Sequence, residues 1–144
     1  MGWGSLARLA AAGVVVVTAA GCAVMHRSHS GRCQDTTVTL YFETGSDQVS
    51  PIGREIIAAT ASRLRPCPVG DLRLLGLADP VGAAQSNLEL SKRRAENVRA
   101  AFDHTGLPYD HFTLVAAGDR GAERPNGEIE PVRRRVDVTV MMRR

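Results

Sequence analysis

The chain has 144 residues, room for one domain and an appendage. Its 44% hydrophobic content is that of an ordinary globular protein, although aromatic residues make up only 4%. Net charge is +3; leaving out residues 1–21 removes Arg8 and no acid, so 17 basic side chains face 15 acidic ones. That excess is too small to imply nucleic-acid binding. Arg133-Arg134-Arg135 and Arg143-Arg144 are read as solvated arginines flanking a final strand rather than as a polyanion site.

Residues 1–21 (MGWGSLARLAAAGVVVVTAAG) have a basic start, an apolar run from Leu9 and a small-residue ending. These are the three parts of an export signal. Leu9–Met25 is also a run of 17 apolar or small residues, at the short limit for a spanning helix, so an uncleaved inner-membrane anchor is the alternative. Ala19-Ala20-Gly21-Cys22 resembles the bacterial lipobox. The resemblance implies cleavage before Cys22 and acylation of that cysteine. Two or three acyl chains anchor firmly, since each buried methylene contributes about 0.8 kcal/mol. Ala23 rather than aspartate follows, which by resemblance to lipoprotein sorting rules implies the outer membrane, facing the periplasm.

With Cys22 lipidated, Cys33 and Cys67 remain as an even pair, a possible disulfide in an oxidising compartment. His26, His29 and Cys33 match no zinc spacing, and no metal or cofactor is implied. Residues 22–35 are the lipidated cysteine and a tether, and 36–144 the domain.

Within that domain Thr37–Phe42 alternates, with Val38, Leu40 and Phe42 on one face, as in a half-buried strand. Ser50-Pro51 opens a helix carrying Ile57, Ala61 and Leu64, which Pro66 stops. Leu72–Leu77 is a second strand. Ser86-Asn87-Leu88-Glu89 reads as the capping box of a second helix that runs to about His104. Phe112–Ala117 is a third strand, 118–131 a loop, and Val136, Val138, Val140 and Met142 mark the last strand. The order β-α-β-α-β-β predicts a two-layer α/β (α+β) domain, with helices on one face of a mixed sheet. About 110 residues suffice for one core.

The second helix carries two stripes. Leu88, Ser91, Ala95, Val98 and Phe102 belong to the core, while Asn87, Leu90 and Arg94 occupy another side near its start. Asp79 lies in the strand-to-helix loop Gly76–Gln85, at the strand end where open α/β sheets commonly bind ligands. One carboxylate and one guanidinium facing a shared cleft would suit a zwitterion: Asp79 for an ammonium, Arg94 for a carboxylate. The same pair also satisfies a simpler reading, in which each bonds the other or the backbone.

Gly76-Leu77-Ala78-Asp79-Pro80-Val81-Gly82, then Asn87-Leu88-Glu89-Leu90-Ser91-Lys92-Arg93-Arg94-Ala95, resemble the OmpA C-terminal domain family. That family carries G-H-T-D-x-x-G and N-x-x-L-S-x-x-R-A, with the same fifteen-residue step from the aspartate to the arginine. Tyr41-Phe42, Ser50-Pro51 and Arg134-Arg135-Val136 are further marks, and the resemblance spans residues 36–144. It implies non-covalent peptidoglycan binding, with the diaminopimelate of the stem peptide held by Asp79 and Arg94. Asn87 and Leu90 match positions lining that cleft. The chain departs from the pattern at Leu77 and Ala78 (histidine and threonine in the family), at Glu43 (aspartate) and at Arg133 (asparagine). A protein-interaction lipoprotein with envelope partners and weakened wall binding is the competing reading, motivated by Leu77 and Ala78. Catalysis is not implied. Glu43 with Asp79 is only a notional carboxylate pair, and His104 and His111 lack a matching nucleophile or metal motif.

Overall fold

Alternation of apolar side chains builds the sheet of this computed structural model, which describes residues 33–120 and 133–144. The expected signal segment, Cys22, the expected tether through residue 32 and residues 121–132 of the expected loop lie outside the described residues. Six elements follow in chain order: β1 (Thr36–Tyr41), α1 (Pro51–Leu64), β2 (Val69–Leu77), α2 (Ala84–His104), β3 (His111–Gly118) and β4 (Arg135–Met142). Spatially the strands run β1-β4-β2-β3. β4 is antiparallel to both its neighbours, whereas β2 and β3 are parallel and joined through α2.

Leu40, Leu72, Leu74, Val136, Val138 and Val140 point into one core with Ile57, Ala61 and Leu64 of α1 and Ala95, Val98 and Phe102 of α2. Both helices therefore cover the same face of the sheet, the two-layer arrangement expected from the order of elements. Thr37, Arg73, Leu75 and Val115 alternate onto the other face and are exposed.

Ser50 caps α1 as the sequence indicates. Its backbone is extended and its Oγ accepts from the Gly53 N–H at 3.0 Å, with Pro51 in the first turn. α2 corrects the capping-box expectation. Its cap is Ala83, which has no side-chain oxygen to offer, and the helix begins at Ala84, so Ser86 already lies inside the first turn. Tertiary contact sets that start. The α2 backbone at Leu88 lies so near Gly118 that a Cβ on the glycine would come within 3.1 Å of the Leu88 nitrogen. β2 also begins earlier than its apolar run, because Gly70 and Pro68 accept backbone bonds from Asp110 and Arg143.

Cys33 and Cys67 form a disulfide, with Cα atoms 5.5 Å apart and a sequence separation of 34. It ties the approach to β1 to the end of α1. By loop-closure entropy such a bridge contributes about 3–4 kcal/mol.

The tightest packing lies where α2 crosses β2. A Cβ on Gly76 would stand 2.1 Å from the Ser91 carbonyl oxygen and 3.4 Å from the Ala95 Cβ. Only glycine admits the helix backbone this closely. Gly76→Ala is therefore expected to cost about 3 kcal/mol or more and to lower Tm by more than about 10 °C. Thermal unfolding followed by circular dichroism checks it, and a Tm within about 2 °C of the parent would refute the contact.

Candidate functional site

The loop from β2 into α2 brings Asp79 to the mouth of the site. Ala78, just before it, is wholly buried and its N–H donates to the Gly118 carbonyl at 2.8 Å. The chain is thereby held across the ends of the parallel pair β2 and β3. Ser91 reinforces this junction: its Oγ accepts from the Gly118 N–H at 3.0 Å and donates to the Leu88 carbonyl at 2.8 Å. Gly118 itself has φ +56°, a conformation that glycine adopts without the penalty a side chain brings.

Arg94 does not lie open to a cleft, and this corrects its expected placement. The residue is fully buried. Its Nε donates to the Ser46 carbonyl at 2.8 Å, and Nη1 and Nη2 donate to the carbonyls of Leu77 and Glu43, each at 3.2 Å. Its guanidinium carbon stands 5.1 Å from the centre of the Phe42 ring. Of the two uses weighed for this side chain, bonding to the backbone is the one found here. Burial lowers the Arg94 pKa; the Asp79 carboxylate opposes that shift and the Arg134 guanidinium adds to it. Asp79 thus lies within electrostatic reach of Arg94 although the structure forms no ion pair between them.

Asp79 pairs instead with Arg134. Nη1 of Arg134 donates to Oδ2 at 3.0 Å, with the side chains 16% (Asp79) and 36% (Arg134) exposed. Both groups therefore remain within reach of solvent, which Arg94 is not. Asn87 is buried, and its Nδ2 donates to Asp119 Oδ2 at 3.2 Å, fastening the start of α2 to the turn after β3. Leu90 is half-buried. Of the four residues expected to line one cleft, Asp79 and Leu90 remain partly accessible, while Asn87 and Arg94 are held inside.

The arginines before β4 are not the solvated flank read from the sequence. Arg133 is buried and its Nη2 donates to the Arg120 carbonyl at 2.6 Å, while Arg135 pairs with Asp137 at 3.2 Å. Arg134 is the partner of Asp79 that sequence reasoning passed over. Its only signal was membership of the Arg134-Arg135-Val136 run, which does not say which acid it meets.

Comparison with known proteins agrees with this architecture. The OmpA family profile matches residues 41–135, more than half of the chain. The outer-membrane lipoprotein YfiB of Pseudomonas aeruginosa is 31% identical over 77 residues, 54% of this chain and 46% of that protein. The chain thus spans less than half the length of that curated relative. The crystal structure of the peptidoglycan-associated lipoprotein from Burkholderia pseudomallei is similar with a TM-score of 0.57 at 22% identity, over 72% of this chain and 89% of that one. The cell wall anchor of the T6SS from Pseudomonas aeruginosa gives a TM-score of 0.57 at 25% identity, over 76% and 82% of the two chains.

Arg94 also makes a stability prediction. Replacing it with glutamine removes the donors of three carbonyls in a closed space, at about 1–3 kcal/mol for each acceptor left unsatisfied. The expected loss in urea unfolding is about 3 kcal/mol or more. A loss below about 1 kcal/mol would contradict the enclosed geometry.

Proposed function

Because the chain belongs to the OmpA family, we propose that it is a non-catalytic peptidoglycan-binding protein of the bacterial envelope. Acyl chains on Cys22 hold it to the membrane, and the diaminopimelate of the stem peptide holds it to the wall. The observation that carries this reading is a partly exposed carboxylate, Asp79, at the β2–α2 loop where the family keeps its ligand aspartate. Asp79 accepts from the diaminopimelate ammonium. Arg94, enclosed beneath it, contributes its charge through space and holds the Glu43–Ser46 loop and the end of β2 in place. Asn87 steadies the rim through Asp119, and the half-exposed Leu90 side chain adds apolar contact.

The lipoprotein part of the proposal rests on the signal-like segment and Cys22, and is in keeping with the description of YfiB as an outer-membrane lipoprotein. The outer membrane is the proposed location; an uncleaved inner-membrane anchor is the alternative. Tethering to the envelope raises the effective concentration of wall ligand, so modest intrinsic affinity suffices. Leu77 and Ala78 favour one second reading. Both are buried and apolar where the family has polar side chains, which suits a domain whose partner is an envelope protein.

Co-sedimentation of the full chain, in detergent, with purified diaminopimelate-type peptidoglycan separates the two. The parent is expected to pellet, and Asp79→Asn, nearly isosteric and without charge, to bind about tenfold more weakly or worse. An Asp79→Asn protein that pellets like the parent removes the carboxylate from the proposal. A folded parent left in the supernatant favours the protein partner. The anchor is checked separately in cells by radiolabelled palmitate, which is expected to enter the parent and not Cys22→Ala; equal labelling would defeat the lipidation proposal.

A further inference from the structure

β3 is left with a free edge. The strand order β1-β4-β2-β3 places it at the end of the sheet, with β2 on one side and no strand on the other among the described residues. Natural edge strands are commonly guarded by a lysine, a proline or an inward charge, because an unpaired ladder invites another chain. β3 (HFTLVAAG) has none of these. It also exposes apolar side chains on both faces. Val115 is 51% exposed beside Leu75, its register partner on β2, and Phe112 is 43% exposed on the helix side.

The helix above this edge carries a pattern of its own. Lys92, Glu96, Arg99 and Asp103 of α2 follow one another at steps of four, three and four residues and form one stripe. With Phe112 and Leu114 they line a groove of about 380 Å³ beside β3. Within one chain these charges pair loosely: Lys92 and Glu96 are 4.0 Å apart, Arg99 and Asp103 are 3.5 Å apart, and all four remain in reach of solvent. Asp103 also accepts from the Tyr109 hydroxyl. Exposed pairs of this kind contribute little to the stability of a single chain.

The signs alternate along the stripe, so turning it end for end reverses the sign at every position. Lys92 then faces Asp103 of a second copy, Glu96 faces Arg99, and symmetry repeats both pairs. From this match we infer that the free edge of β3 and the stripe of α2 form one interaction surface, whose occupant is a second copy of this chain. A two-fold axis sets the two β3 strands antiparallel and joins the sheets into one. Strand and helix agree on where that axis passes. Ser91 bonds Gly118 at one end of β3, and Arg99 stands 4.0 Å from the centre of the Phe112 ring near the other, so the middle of the stripe lies over the middle of the strand. The spacing agrees as well. Paired strands lie about 4.8 Å apart. Two α2 helices, each crossing above its own β2 and β3, are then about 10 Å apart, a distance at which helices pack. Val115 and Leu75 of both copies gather on the outer face of the joined sheet. This surface goes beyond the wall-binding proposal and does not depend on it.

The test is sedimentation equilibrium of the full chain in a detergent matched to the buoyancy of the solvent, so that protein mass alone is read. The parent is expected to dimerise at tens of micromolar. Glu96→Lys and Arg99→Glu, each measured alone, are expected to weaken the dimer about tenfold or more, because each sets like charges opposite one another and does so twice in a symmetric pair. Mixed in equal amounts, the two variants bring opposite charges face to face again, and association is expected to return to near the parent level. Val115→Lys guards the strand edge and is expected to abolish the dimer. Circular dichroism follows the folding of each variant, and Val115→Lys carries the test should Arg99→Glu not fold. A parent that stays monomeric at tens of micromolar overturns the proposal. So does a dimer that none of these substitutions weakens, since it uses another face. Weakened variants that fold but whose mixture does not recover overturn the end-for-end match of charges.

Discussion

A guanidinium removed from water must find its acceptors inside the protein, and Arg94 finds them on the carbonyls of Glu43, Ser46 and Leu77. Those carbonyls belong to two separate stretches, the loop leaving β1 and the end of β2, and α2 supplies the side chain that joins them. Neighbouring residues of α2 strengthen the same seam: Arg93 pairs with Asp47 at 3.0 Å and Asn97 donates to the Asp47 carbonyl at 2.8 Å. The loop from Glu43 to Asp47 owes its position to these three side chains. The register of α2 on the sheet is therefore coupled to the shape of the loop that faces the site.

Packing imposes the same register independently. Gly76 lets the Ser91 carbonyl approach β2 to a distance that no side chain permits, and at Gly118, with φ +56°, the start of the helix at Leu88 lies only 3.1 Å from where a Cβ would stand. Ser91 bonds at once within α2 and across to Gly118, so it fits one helix position only. Moving α2 by a single residue would swing Arg94 about 100° around the axis, away from its carbonyls. The glycines and the buried arginine consequently constrain each other, which explains why a surface-looking charged run can place one cation deep inside.

The outline of the fold was open to sequence reading because its signals are periodic. The alternation Val136, Val138, Val140 gives β4, and Ser50 with Pro51 gives the start of α1. The candidate site was only half legible. Lys92, Arg93 and Arg94 are equivalent as letters, and an arginine in a solvated helix face looks the same as one bonded to distant carbonyls. The partner of Asp79 comes from residues 55 positions away, at the foot of β4, through a pairing that no local pattern encodes. The start of α2 was misplaced for a related reason. Ser86 and Glu89 form a good capping pattern, yet Asn87 and Leu88 are already committed to Asp119 and Gly118, and tertiary contact outweighs the gain of about 1 kcal/mol from a cap.

The electrostatics of the site follow from the neutrality of the acceptors around Arg94. Carbonyl oxygens solvate its charge without cancelling it, so the field of the buried cation persists at the surface above it. Asp79 answers that field through space and also bonds Arg134, so one carboxylate stands between two guanidinium groups. Among the described groups acting on Arg94, Arg93 and Arg134 join its positive charge against Asp47 and Asp79, one positive charge in excess. A ligand bringing a carboxylate beside its ammonium restores an alternating arrangement of opposite charges. An apolar partner segment would leave the same excess uncompensated and would have to bind over charges it cannot satisfy. The chemistry exposed at Asp79 and Arg134 thus argues for a charged, amino-acid-like end group more strongly than the neighbouring Leu77 and Ala78, both buried, argue for an apolar one.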